Sequence, residues 1–350
     1  MKPVVIGTHT LDIPIIQGGM GVGISRASLA GAVAKEGAMG VISAAQIGYD
    51  CEGFRQAPEA TNLKVLPQHI AQAKRLSEGK GMVAVNIMTA TQDYENYVKT
   101  ACTAGADAII SGAGLPTNLP KFATGFDVAL APIVSSAKSA KVILKYWHSK
   151  HDYCADFVVI EGPKAGGHLG FKKEALADVD AIAFDAEIAD ILTVVHSYEA
   201  LYHKTIPVFV AGGIMNADDV RHVLALGASG VQVASRFVTT YECDAAQAYK
   251  DAYLAATEAD AVIVNSPVGM PGRALNNPFV KRAAEGPIPV KGCYNCLSAC
   301  NPAQTPYCIS QALINAVKGD IDNGLIFCGA RVGELNKMEH VADVIRDLNV

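Results

Sequence analysis

The sequence has no run of basic residues and no long apolar segment, and each absence excludes a class of protein. Its 29 Lys and Arg against 34 Asp and Glu give a formal net charge of −5, without the concentrated positive charge that binds nucleic acid or anionic membranes. No apolar stretch approaches the roughly 18 residues of a membrane span. Residues 1–16 carry one Lys and an apolar stretch broken by His9, Asp12 and Pro14, unlike a signal peptide. We expect a cytoplasmic protein whose partner is a small molecule, with neither nucleic acid nor a membrane.

Short apolar runs rich in Val and Ile alternate with amphipathic helical patterns over most of the chain. The runs are continuous, which is typical of strands buried on both faces of a parallel sheet. The predicted strands are Ile13–Gly19, Gly40–Ala45, Met82–Met88, Ala108–Gly112, Ala129–Ser135, Asp156–Glu161, Pro207–Gly213 and Gly230–Ser235. The predicted helices are Arg26–Glu36, Pro67–Ser77, Tyr94–Ala104, Ala140–His151, Glu187–His203 and Ala217–Leu226.

This alternation fits either a (β/α)8 barrel or a doubly wound open sheet. The open sheet is disfavoured because no Gly-x-Gly-x-x-Gly follows the first strand and opens a helix. Gly-rich or polar sequence instead follows nearly every strand, as expected where active-site loops ring one end of a barrel. We predict an α/β fold, with a TIM barrel over residues 1–256.

The alternation of strand and helix patterns ends after residue 256. Residues 257–310 carry many Pro, Gly, Asn and Cys, with one convincing strand at Ala261–Asn265. Helical patterns follow at Ile309–Val317 and Glu339–Leu348. We predict that residues 257–350 form a C-terminal appendage packed on the barrel, which could build a homodimer interface.

Two glycine-containing segments include the ends of the last two predicted strands and the loops that follow them, Val210–Ile214 and Gly227–Phe237. In barrels these loops commonly bind phosphate through backbone N–H groups and a helix N-terminus. Glycine lets the backbone approach closely, so Gly212 and Gly213, with the Ser235 hydroxyl, are candidate phosphate ligands. The alternative is that these glycines only make tight turns.

A second glycine run, Gly18-Gly19-Met20-Gly21, follows the first strand. A flat ring system such as isoalloxazine could lie against this bare backbone, although a Gly-rich turn explains the run equally well. Asn86 ends the third strand, where its amide could hydrogen-bond a pyrimidine-like ring edge or cap a turn.

His168 differs from the other eight histidines in its context. It follows the sixth strand on a glycine-rich loop, between Gly167 and Leu169-Gly170. Histidine is the usual proton donor or acceptor near neutral pH. We therefore predict that His168 is catalytic, against the alternative of a solvated loop residue.

Four of the nine cysteines lie within residues 293–308, namely Cys293, Cys296, Cys300 and Cys308. The spacing Cys-x2-Cys-x3-Cys-x7-Cys supplies enough thiolates for tetrahedral zinc or a [4Fe–4S] cluster. Two separated Cys-x2-Cys pairs, typical of zinc ribbons, are absent, which favours the cluster. Reduced thiols in a packed loop are the alternative, since a cytosolic protein rarely holds structural disulfides.

Taken together, these stretches resemble the nitronate monooxygenase family (formerly 2-nitropropane dioxygenase), which includes the flavin-dependent enoyl-ACP reductases II. The matching stretches are Pro14–Gly21, Val85–Met88, Ala165–His168, Ala211–Ile214, Gly230–Phe237 and Gly272–Leu275. The resemblance implies FMN at the barrel mouth, with His168 as the family's catalytic histidine. The implied cofactor-binding residues are Gly18, Gly19, Met20, Asn86 and Gly167 around the ring, and Gly212, Gly213, Ala234 and Ser235 around the phosphate.

The resemblance leaves more than one activity open. In nitronate oxidation His168 would be a base or an anchor for the nitronate. In the reductases NAD(P)H reduces FMN, and hydride passes to an enoyl thioester on acyl carrier protein, or to a quinone. A barrel that only binds a nucleotide is the third possibility. Two features depart from the family pattern, the cysteine cluster and Lys164, which stands where many members carry an acidic residue. A cation there would favour an anionic substrate or a negatively charged reduced flavin, unless it faces solvent.

Overall fold

The computed structural model describes residues 1–350. Its strands are β1 Val4–Ile6, β2 His9–Leu11, β3 Ile15–Gln17, β4 Met39–Ser43, β5 Met82–Met88, β6 Ala108–Gly112, β7 Ala129–Val134, β8 Val158–Glu161, β9 Gly167–His168, β10 Val208–Ala211, β11 Gly230–Val233, β12 Ala261–Asn265 and β13 Pro271–Leu275. Its helices are α1 Ala27–Lys35, α2 Pro58–Leu76, α3 Tyr94–Thr103, α4 Leu119–Phe122, α5 Ala137–His151, α6 Phe184–Tyr202, α7 Ala217–Ala225, α8 Ser235–Val238, α9 Gln247–Leu254, α10 Pro278–Glu285, α11 Ile309–Val317 and α12 Val341–Leu348.

Eight parallel strands close into a barrel in the order β3-β4-β5-β6-β7-β8-β10-β11, and β11 pairs with β3 to complete it. The predicted TIM barrel is therefore confirmed, and each of the eight predicted strands is one of its strands. Successive residues of one strand pack on opposite faces of the sheet. Ile16 packs inside the barrel, whereas Ile15 packs outside it against the helices. Both faces are buried, which is why the strands have continuous apolar sequences.

The barrel end at which the strands begin is closed by a hairpin that the sequence analysis did not predict. Strands β1 and β2 pair antiparallel, and their Ile6 and Leu11 are completely buried in the same cluster as Phe157 and Phe209 of the barrel interior. The hairpin seals the end opposite the strand carboxyl ends. Ligands can therefore reach the barrel only from the other end.

The helix boundaries agree with the predictions to within a few residues, with one exception. Helix α2 begins at Pro58 rather than at Pro67, which lies inside it. The prediction began at Pro67 because proline is favoured in the first turn of a helix, and Pro58 occupies that position here. No helix combines the length and the apolar character needed to cross a bilayer.

The C-terminal residues fold onto the barrel at two places. Strands β12 and β13 form an antiparallel sheet with β9, so the region after residue 256 adds two strands where one was predicted. Helix α12 buries Val341, Val344, Ile345 and Leu348 in the outer core of the barrel. The glycine-rich loop of His168 is consequently not free, because Gly167 pairs with Arg273 and His168 with Gly272.

Candidate active site

A deep cavity of about 260 Å³ opens among the carboxyl ends of the barrel strands, where barrels of this kind place their sites. Strand-end loops form its floor, and residues from the C-terminal region form part of its roof. Every residue predicted to bind cofactor or to be catalytic lines it: Gly18, Gly19, Met20, Asn86, Gly167, His168, Gly212, Gly213, Ala234 and Ser235. The structure thus brings these residues together, and their individual roles remain predictions.

One end of the cavity is formed by bare backbone and two side-chain amides. A Cβ on Gly19 would lie 2.4 Å from the Cβ of Asn86, and one on Gly18 would lie 3.4 Å from the Cγ of Gln232. Larger residues would therefore push Asn86 and Gln232 away from the cavity that they line. Gln232 was not among the predicted residues, although a polar residue at the end of an apolar strand is a recognisable feature.

The opposite end is a cradle of backbone amides. Gly212 and Gly213 adopt φ values of +97° and +85°, a region that glycine occupies without strain. The amides of Gly213 and Gly329 have no acceptor within the chain. A Cβ on Gly329 would lie 2.9 Å from the Ser235 hydroxyl oxygen, so this C-terminal glycine brings its backbone directly against the predicted phosphate loop. The sequence analysis missed Gly329.

His168 is held by groups from the C-terminal region. Its Nε2 lies 2.7 Å from the Oγ of Ser266, and that oxygen also accepts a hydrogen bond from the amide of Val268 at 3.3 Å. The ring of Phe327 packs edge-on against the imidazole, with centroids 5.0 Å apart. Burial lowers the pKa of His168 to about 4, because a desolvated imidazolium is disfavoured. The ring is therefore neutral at neutral pH.

Glu161 is a titratable group that the sequence analysis did not select. It ends β8, lines the cavity and accepts a hydrogen bond from the amide of Gly170 at 3.1 Å. Removal from water raises the pKa of Glu161 to about 7, and the hydrogen bond from Gly170 opposes that rise. The carboxyl group consequently changes charge close to neutral pH.

Lys164 lies at the rim of the cavity and is already paired. Its Nζ is 2.7 Å from Asp180 Oδ1, and its stem packs on the phosphate loop, since a Cβ on Gly213 would lie 3.1 Å from that of Lys164. An exposed ion pair contributes little free energy and is easily broken. Lys164 therefore points to an exposed partner at the rim, and its charge is not committed to the interior of the cavity.

Two further contacts fix the loop that carries His168 and the segment that covers it. The guanidinium of Arg273, which is buried, donates to the carbonyls of Pro163 and Ala165. The Tyr253 hydroxyl donates to the carbonyl of Phe327. Arg273 spans about a hundred residues of sequence to reach its acceptors, so no local pattern predicts these contacts.

The four clustered cysteines line a second, smaller cavity. No three His, Cys, Asp or Glu side chains are arranged to hold a metal ion, so neither the zinc nor the cluster prediction is confirmed by this geometry. Burial raises the pKa of Cys296 to about 11, and it also raises that of Cys308. As free thiols these groups are protonated at neutral pH, and they are not activated nucleophiles.

Comparison with known proteins gives a consistent result. A family model described as nitronate monooxygenase matches residues 2–350. A probable nitronate monooxygenase of Staphylococcus saprophyticus is 26% identical over an alignment of 302 residues. The alignment covers 80% of this chain and 80% of that one. FabK from Thermotoga maritima superposes with a TM-score of 0.72 at 24% identity, covering 97% of this chain and 92% of that one. A nitroalkane oxidase from Streptomyces ansochromogenes superposes with a TM-score of 0.72 at 19% identity, covering 96% and 94%.

Proposed function

Because the chain belongs to the nitronate monooxygenase family of oxidoreductases, we propose that it binds FMN at the barrel mouth and oxidises alkyl nitronates there. The observation that carries this proposal is the pairing, in one cavity, of a backbone cradle suited to phosphate with a neutral, half-buried histidine. The cradle is suited to the phosphate of the cofactor. The histidine is suited to a hydrogen bond with an anionic substrate.

The residues present fit FMN at both ends. The free amides of Gly213 and Gly329, with the Ser235 hydroxyl, suit a phosphate, which strongly accepts hydrogen bonds from backbone N–H groups. Gly167 has open space where a side chain would project, and that leaves room for a flat ring. Asn86 and Gln232 line the same cavity with side-chain amides, as the polar edge of a flavin requires.

Bound flavin would supply the electron-accepting centre, and the chain would supply binding, orientation and electrostatics. The Oγ of Ser266 already accepts from the amide of Val268. Nε2 of His168 lies 2.7 Å from the same oxygen, and it is the one acceptor within the chain for the Ser266 hydroxyl, so we assign the tautomer in which that hydroxyl donates a hydrogen bond to Nε2. A neutral imidazole then carries its own proton on Nδ1. His168 can therefore donate a hydrogen bond to a nitronate oxygen, which makes it an anchor in preference to a base.

A direct experiment tests the proposal. Purified protein should be yellow, release FMN on denaturation and consume oxygen with propionate 3-nitronate or alkyl nitronates. Protein that binds FMN but turns over no nitronate would refute the proposed activity and leave the cofactor proposal standing. Protein that binds no FMN would refute both.

The second candidate is an NAD(P)H-dependent reductase of enoyl thioesters, for which acyl carrier protein would be the partner. The cysteine-lined cavity favours it, because Cys296 lines that cavity and the main one; a redox group there would suit a reductase better than an oxygen-consuming enzyme. Oxidation of NADH or NADPH that requires a crotonyl thioester, without nitronate turnover, would select this candidate.

A further inference from the structure

The cysteine motif at residues 293–308 has no part in the activity proposed above, yet the fold gathers it. Cys293, Cys296, Cys300 and Cys308 all line one small cavity. They come from an irregular segment and from the residue that precedes α11. We propose that this cavity is a binding site for a [4Fe–4S] cluster held by these four thiolates.

The arrangement of the thiols distinguishes a cluster from a single ion. Zinc requires its thiolates at about 2.3 Å from one point, and no three metal-ligating side chains converge in that way. In a four-iron cluster each thiolate binds a different iron. The thiolates of a cluster therefore line a cavity instead of meeting at one point, and these four cysteines all line one cavity.

The surroundings suit a negatively charged cluster. Cys308 is the N-cap residue of α11, where the helix dipole favours negative charge. The amide of Asn295 donates to Cys293 Sγ at 3.2 Å. The guanidinium of Arg55 stacks on the ring of Tyr294 at 4.0 Å and packs on Gly292, where a Cβ would lie 2.4 Å from its Nη2. A cation and oriented amides thus lie around the site, as anionic clusters need.

The rest of the lining is partly apolar, and hydrogen bonds fix the loop. Val290, Leu297, Pro302 and Ile309 contribute apolar surface to the cavity. The loop is hydrogen-bonded to the segment after β5, because Gln92 donates its amide to the carbonyl of Cys296 at 3.1 Å and Ser298 donates to that of Ala90 at 3.0 Å. This region is therefore an ordered part of the barrel mouth.

The position of the site relates it to the main cavity. Tyr294, Asn295, Cys296, Leu297 and Ile309 line both cavities. A cluster bound here would be separated from the occupant of the main cavity only by this shared wall.

Anaerobic reconstitution with ferrous iron and sulfide tests the proposal. The wild-type protein should take up about four iron and four sulfide per chain, with broad visible absorption and, after reduction, an electron paramagnetic resonance signal. Cys293→Ser and Cys300→Ser should lose most of the iron and sulfide. Cys51→Ser should retain both, because Cys51 is a half-exposed cysteine that does not line the cavity.

Three results would overturn the proposal: reconstituted wild-type protein without iron and sulfide, iron content unchanged in Cys293→Ser and Cys300→Ser, or one zinc per chain that iron does not replace. FMN content is measured in the same samples, so that misfolded variants are recognised by flavin loss. Flavin binding without a cluster would refute the cluster site alone. A cluster without nitronate turnover would refute only the activity proposed above.

Discussion

Two parts of the main cavity are built from different groups: the backbone cradle proposed to bind phosphate (the phosphate end) and the surroundings of His168 (the histidine end). At the phosphate end the donors are mostly backbone amides in glycine turns that follow neighbouring strands. At the histidine end side chains form the contacts, since His168 contacts Ser266 and Phe327, which are distant from it in sequence. A backbone site tolerates many substitutions nearby but not a change at its glycines. A side-chain site depends on every partner that orients it.

The largest effect is expected at the histidine end. His168→Ala should keep bound FMN and slow turnover by about 10²–10³-fold, the usual scale for loss of one positioned hydrogen-bond donor in an active site. Single-turnover kinetics on protein of known flavin content would measure this change. An unchanged rate would assign His168 a structural role and remove the contrast between the two ends.

The phosphate end is tested by adding one methyl group. Gly213→Ala places a Cβ at a φ of +85° and should weaken FMN binding by roughly 10–100-fold, because hydrogen bonds to a charged group contribute about 1.5–3 kcal/mol. Gly125→Ala is the matched control, with a φ of +86° and nothing within 4 Å of the added Cβ. Gly125→Ala should lose about 1–2 kcal/mol of unfolding free energy, and Gly213→Ala at least as much, since its added Cβ also meets that of Lys164 at 3.1 Å. Only Gly213→Ala should release flavin. Equal flavin retention would refute the cradle.

Ser266→Ala sharpens the comparison, because it removes a side chain that orients the histidine without touching substrate. We expect kcat to fall about tenfold, the equivalent of one net hydrogen bond, with FMN binding unchanged. The 15N chemical shifts of the His168 ring should also change, since Nε2 loses its donor. A slower enzyme with unaltered ring shifts would contradict the tautomer assigned to His168.

The smallest effect concerns pH. Below about pH 7 Glu161 is neutral, and above it the carboxylate is negative, so it repels an anionic nitronate. KM should therefore rise roughly fivefold as pH increases through 7, a Coulomb effect of about 1 kcal/mol. In Glu161→Gln this rise should disappear. Identical KM profiles for the two proteins would show that Glu161 does not face the substrate.

The sequence was informative wherever a property is carried by neighbouring residues. The strand Met82–Met88 was predicted with its exact bounds, because a run of apolar residues buried on both faces is recognisable locally. The glycines of the phosphate loop were recognisable for the same reason. Glu161 and Gln232 could also have been selected, since each is a polar residue at the carboxyl end of an apolar strand.

Other parts of the site were beyond local patterns. The contribution of Gly329 and Phe327 depends on the chain returning to the barrel mouth from the C-terminal region. Arg273 lies in a stretch that matches the family. Its role in fixing the histidine loop is visible only in its contacts with Pro163 and Ala165. Such contacts join residues about a hundred positions apart, and a single sequence does not encode them in any periodic form.

By itself the sequence determined the alternating strands and helices, the glycine loops, the histidine and the spacing of four cysteines, because each follows from residues close in the chain. Only the tertiary structure decided that the histidine loop is paired as a strand, that a C-terminal glycine packs against the predicted phosphate loop, and that the four cysteines line one cavity beside the main site. The physical reason is that closure of the barrel sets which loops meet at its mouth, and packing of the C-terminal region then sets which side chains cover them.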